Sequence, residues 1–306
     1  MSSKTVSSVT FDRVQDNLRE VVTFFRNHPR LKKFVLIGIP FGVLFVFFVA
    51  PLIVMVWLSF LDGMPPAPTT LENYMRFVSS DTYMTVLWRT TVITVQTTVV
   101  AVALGYALAY SIVRFSKRAT LLLLLVILPF WTNYIIRMYA WINILQSNGL
   151  LDTVLLTTGL INEPIGLLYS HEAVIIGFVY VYLPLATLPF YASLSGMNTD
   201  LIDAAKDLGA GPIKTFVTVT LPMTKSGIMV GVILVAIPVF GAFITPTLLG
   251  GTGNVMIGMV IEQQFTQAFN WPFGAAISVI VTILVIAALV VSVASGGNVL
   301  DRGENA

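Results

Sequence analysis

No cysteine occurs anywhere in the 306 residues, and histidine occurs only twice, at His28 and His171. The first absence excludes disulfides, thiol catalysis and cysteine-ligated metal, and the second leaves two distant imidazoles without companion ligands. Charge is scarce as well: Asp, Glu, Lys and Arg make up 10% of the chain, against about a quarter in a typical soluble domain. So few charges cannot clothe a soluble fold of this size. The formal net charge of +2 gives no electrostatic footprint for nucleic acid. What fills the chain is apolar, with 56% hydrophobic residues and a mean hydropathy of +0.87. That excess must face a bilayer.

A hydrocarbon core of about 30 Å needs roughly 20 helical residues, and six apolar runs reach that length: 34–60, 87–113, 119–145, 173–194, 227–249 and 271–294. They are continuous rather than alternating, which predicts helices and not barrel strands. The expected fold is all-α, a polytopic membrane protein with six transmembrane helices. Three regions are expected: a cytoplasmic amphipathic segment over 1–33, a six-helix domain over 34–296 and a cytoplasmic tail over 297–306. The first run is too long and starts too late for a cleaved signal peptide, and reads as a retained anchor. Prolines 40, 51, 129, 184, 189, 238 and 246 fall inside the runs, where each favours a kink.

The charges are sorted by side. Lys and Arg number seven in the first 33 residues, three in the loop after the second run (Arg114, Lys117, Arg118), three after the fourth (Lys206, Lys214, Lys225) and one in the tail. Basic residues are retained inside, so both termini are expected in the cytoplasm of a cell with the protein in its inner membrane. The opposite loops are acidic, with Asp62, Glu72, Asp81, Asp152, Glu163, Glu172 and Glu262 against Arg76 and Arg89. Before the first run, Phe11, Val14, Leu18, Val21, Val22 and Phe25 recur at helical spacing, which predicts an amphipathic helix on the lipid interface.

The loop 198–226 is polar for this chain and too long for a connector. Asp200–Leu208 reads as a short helix capped by Asn198 or Thr199, with Leu201, Ala205 and Leu208 on one face. Gly209 permits a positive φ at its end, and Gly211-Pro212 starts a second helix that stops at Leu221-Pro222. The product is a helix-turn-helix knob with a small apolar face suited to a groove on a soluble partner.

Within it, Asp203-Ala204-Ala205, three residues, Gly209, nine residues and Val219-Thr220-Leu221-Pro222 resemble the coupling motif of ABC importer permeases, E-A-A-x3-G-x9-I-x-L-P. The spacing matches at every fixed position, with Asp for Glu at 203 and Val for Ile at 219. Pro129-Phe130-Trp131-Thr132-Asn133, Arg137, Tyr139-Ala140-Trp141, Leu248-Leu249-Gly250-Gly251, Met256-Ile257-Gly258, Gln264-Phe265 and Trp271–Ala276 resemble the spermidine/putrescine permeases. The resemblance implies the type I (MetI-like) permease architecture. It also implies a heterodimer with a second permease subunit, two cytoplasmic ATPase subunits and an external substrate-binding protein. The chain has no Gly-x-x-x-x-Gly-Lys-Ser/Thr loop; it is expected to be non-catalytic and without a cofactor, ATP being bound by the partner subunits. Asp203, Ala204, Ala205, Gly209, Leu221 and Pro222 are the expected ATPase-coupling residues.

A polyamine carries ammonium groups on an apolar chain, so its path should offer aromatic faces and carboxylates. Trp131, Tyr180, Phe243 and Glu262 are the expected pathway residues, with Glu262 placed in the loop between the last two runs. Arg137 lies within the third run; on a straight helix it would stand about 27 Å from the inner end, near enough to the outer surface to snorkel. A structural ion pair is expected for it, since a free cation would be awkward for a cationic cargo. The same machinery could serve ferric iron, thiamine or phosphonate. An ion-coupled secondary transporter predicts ionisable residues deep in the spans and no knob, the reverse of this pattern.

Overall fold

The computed structural model describes residues 29–300, with side chains from 36 to 294. Among them every element is helical apart from an isolated bridge between Leu61 and Thr69, so the fold is all-α. The amphipathic helix expected around Phe11–Phe25 and the end of the tail lie outside the described residues.

Two compact units divide after Leu58. The first contains α1 (Pro29–Leu44), a π turn (Phe45–Val49) and α2 (Ala50–Ser59), whose last residue opens the second unit. None of the residues in its most apolar window is buried, and Phe41, Phe47 and Phe48 are all exposed. A helix apolar around its whole circumference is stable where lipid solvates it.

The second unit contains α3 (Glu72–Ser79), α4 (Asp81–Phe115), α5 (Ala119–Ile127), a 3-10 turn (Leu128–Trp131), α6 (Tyr134–Leu145), α7 (Leu150–Thr157) and α8 (His171–Ser195). It continues with α9 (Asp200–Asp207), α10 (Pro212–Thr215), a π turn (Phe216–Thr220), α11 (Leu221–Met223), α12 (Lys225–Phe240), α13 (Ile244–Leu249), a 3-10 turn (Thr252–Asn254), α14 (Ile257–Thr266) and α15 (Trp271–Leu300). Among the described residues, four helices are long and apolar enough to cross a bilayer unbroken: Leu36–Ser59, Asp81–Phe115, His171–Ser195 and Trp271–Ala294. Two bent pairs, Ala119–Trp131 with Tyr134–Thr157 at 92° and Pro212–Met223 with Lys225–Phe240 at 68°, raise the number to six when each pair counts as one span.

Two expected runs are therefore not single helices. The third, 119–145, breaks at Thr132, which is extended at φ −84° and ψ 151°. Pro129 sits at the start of the 3-10 turn, and Asn133 begins a new helix by accepting from the amides of Ile135 (2.8 Å) and Ile136 (3.4 Å) through Oδ1. The fifth, 227–249, ends as a helix at Phe240, and a separate short helix, α13, follows Gly241–Phe243. Apolar composition measures length in lipid but not direction.

The core is the mutual packing of α4, α8 and α12. Along α4, Thr90, Thr94, Thr97, Thr98, Ala101, Gly105 and Ala109 recur at three- and four-residue spacing and are all buried, giving α8 a face of small side chains to approach. At Gly105 an added Cβ would stand 3.3 Å from Ala186 and Thr187; at Gly231 it would stand 2.2 Å from the Phe190 ring. A second cluster around Met138, Leu145, Ala173, Val181 and Leu249 joins α6, α8 and α13. A third, around Phe77, Ile257, Phe273 and Ile277, joins α3, α14 and α15.

Candidate functional site

The knob starts where Asn198 Oδ1 accepts from the Asp200 amide at 2.9 Å, closing the first turn of α9. It stops at Gly209, whose φ is +81°. Gly209 N–H donates to the Lys206 carbonyl (2.8 Å) and Ala210 N–H to the Ala205 carbonyl (3.0 Å), the paired bonds of a Schellman ending. Gly211 then caps α10, with Pro212 at its first position. The second helix ends at its Leu221-Pro222 to within one residue: through the π turn it reaches Met223 and bends at Thr224. Ala205 does not share the outward face. It is half-buried, while Leu201, Leu208 and Ile213 are exposed, the last two at 89% and 79%. Asp203 and Lys206 form the one side-chain ion pair among the described residues (2.7 Å), and the lysine's hydrogen bond and charge hold the Asp203 carboxyl below the usual carboxylate range.

The inner face of the knob covers a cavity of about 180 Å³ whose lining includes Tyr110, Arg114, Ile202, Lys206, Phe216 and Thr220. Phe216 stands edge-on to Tyr110 (5.4 Å between ring centres) and to Tyr106 (6.0 Å), both on α4. At the 68° bend, the Thr224 hydroxyl donates to the Thr220 carbonyl (2.9 Å) and is left to accept from the buried Tyr106 hydroxyl (2.8 Å). The knob is thereby tied to the long helix α4 as well as to its sequence neighbours. This tie crosses more than a hundred residues and gives no periodic signal.

The four expected pathway residues do not form one cluster. Trp131 is 86% exposed at the end of the 3-10 turn, at the break between the two arms of the bent pair. Phe243 precedes α13, and Glu262 lies on α14 rather than in a loop, its carboxylate accepting from the Thr266 hydroxyl at 2.8 Å. Only Tyr180 belongs to a tight group, edge-on to Trp141 at 5.4 Å. That group centres on Arg137, for which no carboxylate partner exists among the described residues, so the expected ion pair is replaced by aromatic faces. Arg137 is 8% exposed, its Cζ lies 5.6, 5.8 and 6.0 Å from the ring centres of Phe130, Tyr134 and Tyr180, and its buried Nε has no hydrogen-bond partner. Tyr134 is itself fixed by a hydrogen bond to Thr245. The 92° bend makes the straight-helix distance for Arg137 inapplicable.

Two other polar residues turn out to hold the frame. Asp152 is buried and accepts from the amides of Asn148 (3.0 Å), Ile165 (3.1 Å) and Gly166 (3.4 Å), so it staples a loop instead of facing solution. His171 is the first residue of α8, and its Nε2 meets Gln96 Oε1 of α4 at 2.5 Å.

Residues 25–303 match the family described as "Binding-protein-dependent transport system inner membrane component". Among characterised relatives, the spermidine/putrescine transport system permease protein PotB of Haemophilus influenzae is 38% identical over 253 residues, covering 81% of this chain and 88% of that one. PotB of Escherichia coli K12 is 39% identical over 216 residues, covering 70% and 78%. In fold, the chain superposes with a TM-score of 0.74 at 13% identity on a chain of a bacterial alginate ABC transporter solved in complex with an alginate pentasaccharide-bound periplasmic protein, covering 90% of this chain and 97% of that one.

Proposed function

Since the chain belongs to the family of binding-protein-dependent transport system inner membrane components, a group of multi-pass permeases, we propose that it is the permease subunit of an ATP-driven importer of polyamines, spermidine and putrescine. The observation that carries the ATP-driven part is the knob, with an αL glycine fixing two short helices and Leu208 and Ile213 left bare on its outer side. Exposed apolar side chains on an otherwise polar projection suit a groove on a soluble partner. Two cytoplasmic ATPase subunits would take the knobs of this chain and of a second permease, with Asp203, Ala204, Ala205, Gly209, Leu221 and Pro222 as the coupling residues. ATP and its hydrolysis belong to those subunits; this chain is non-catalytic and needs no cofactor. An external binding protein would deliver the cargo on the acidic side, both termini lying in the cytoplasm. The cargo assignment rests on the PotB relatives, which cover most of the chain at 38–39% identity.

The test is reconstitution of the chain in proteoliposomes with its partner permease, ATPase subunits and binding protein. Spermidine uptake that requires ATP and the binding protein is the expected result. ATP-dependent uptake of ferric iron, thiamine or phosphonate with no response to spermidine would keep the machinery and reject the cargo. Gradient-driven uptake without the ATPase subunits would reject both. Labelling of engineered single cysteines at positions 4 and 302 from the cytoplasmic side alone is the expected topology.

A further inference from the structure

Arg137 poses a problem in charge. A cation inside an apolar fold is normally paired with a carboxylate and hydrogen-bonded on every nitrogen. Here it is 8% exposed, its Nε is unpartnered, and no Asp or Glu among the described residues reaches it. What surrounds it is a set of π faces at 5.6, 5.8 and 6.0 Å, the outer range of cation–π attraction. Such faces accept an alkylammonium as readily as a guanidinium. Two walls are fixed, Tyr134 by Thr245 and Tyr180 by its edge contact with Trp141. The third, Phe130, is 40% exposed and sits at the bend beside the bare Trp131. The cage is thus rigid on two sides and accessible on the other, and its present occupant is held by weak contacts only.

We propose that Phe130, Tyr134 and Tyr180 form a cage for an ammonium group of the cargo, and that Arg137 fills it as a built-in stand-in cation that the cargo displaces. The assignment of the cargo rests on the polyamine reading above. Two cations repel at this distance in a low dielectric, so guanidinium and cargo occupy the cage alternately. With no cargo present, the arginine charge bars small cations from the path. A cationic residue on a cationic cargo's route is then a gate and not a contradiction.

The whole importer in proteoliposomes, with assembly checked by co-purification, tests this. Arg137→Gln is expected to lower the spermidine concentration for half-maximal uptake several-fold and to admit a tetramethylammonium leak absent from the parent, while Arg137→Lys, still a cation, stays leak-tight. Tyr180→Leu is expected to raise the half-saturating concentration by roughly threefold to tenfold, the loss of one cation–π contact. Uptake abolished in Arg137→Gln and restored by Arg137→Lys would make the arginine a required charge and overturn the proposal. So would unchanged half-saturation and leak in Arg137→Gln. Should that variant fail to assemble, Tyr180→Leu decides, an unchanged half-saturation being fatal. If the parent importer takes up no spermidine, the polyamine reading fails, while the tetramethylammonium leak still judges whether Arg137 plugs a cation cage.

Discussion

Around Gly209 there is room for a Cβ, since nothing lies within 4 Å of where it would be, yet its φ of +81° is one that side chains resist. The constraint is therefore conformational, and a substitution series can separate it from crowding against a partner. An L-residue in this region costs roughly 1–2 kcal/mol, least for asparagine and most for β-branched residues. Uptake per ATP hydrolysed should fall in the order Gly, Asn, Ala, Val; if Asn is as damaging as Val, the bare Cα is needed by the docked ATPase instead. Gly231 presents the opposite case, with ordinary helical backbone and no space, a Cβ there reaching within 2.2 Å of the Phe190 ring. Gly231→Ala should destabilise by about 1–3 kcal/mol through overpacking, seen as a lower thermal midpoint in detergent, and Phe190→Leu should recover part of it. Additive losses in the double variant would show that the two residues do not meet.

Helix ends decide what hydropathy cannot. The ends of α9 were legible because a cap and a Schellman glycine are local: Asn198, Gly209 and Pro212 bond to backbone within a few residues. The break in the third apolar run has the same kind of signal in Pro129, where a kink is expected, and in Asn133, but an uninterrupted apolar run around them reads as one span and carries no measure of the 92° angle. Nor does the run announce that Tyr180, which comes from α8, meets the guanidinium. Of the faces around Arg137, Tyr134 lies one turn away on the same helix and Phe130 seven residues upstream; only Tyr180 depends on tertiary contact with a helix some forty residues on. If Asn133 drives the break, Asn133→Ala should cost about 1 kcal/mol of stability and leave α6 without its cap, whereas Asn133→Asp, which keeps the acceptor, should match the parent. Equal thermal midpoints for Asn133→Ala and the parent would place the cause of the bend in packing instead.

Over the whole second unit, α4 acts as a rod. Its 35 residues span about 52 Å, well beyond a bilayer core, and it makes polar contacts near both ends. At one end Tyr106 and Tyr110 hold Phe216 and Thr224 of the knob; towards the other, the Thr90 hydroxyl accepts from the amide of Ile257, the first residue of the helix that carries Glu262. A close-packed interior transmits such displacement instead of absorbing it, so a push on the knob can reach α14 through α4 as well as through α12. Removing the Tyr106 hydroxyl isolates this route, because Thr224 keeps its bond to the Thr220 carbonyl and no buried group is orphaned. Tyr106→Phe should then cost only about 1 kcal/mol of stability while lowering uptake per ATP, and Phe216→Ala, which removes the wedge between the two tyrosines, should lower it further. Both ratios are read in the same proteoliposomes from paired uptake and phosphate-release measurements. An unchanged ratio in both variants would mean that α12 alone carries the motion and that the Tyr106 contact serves only the fold.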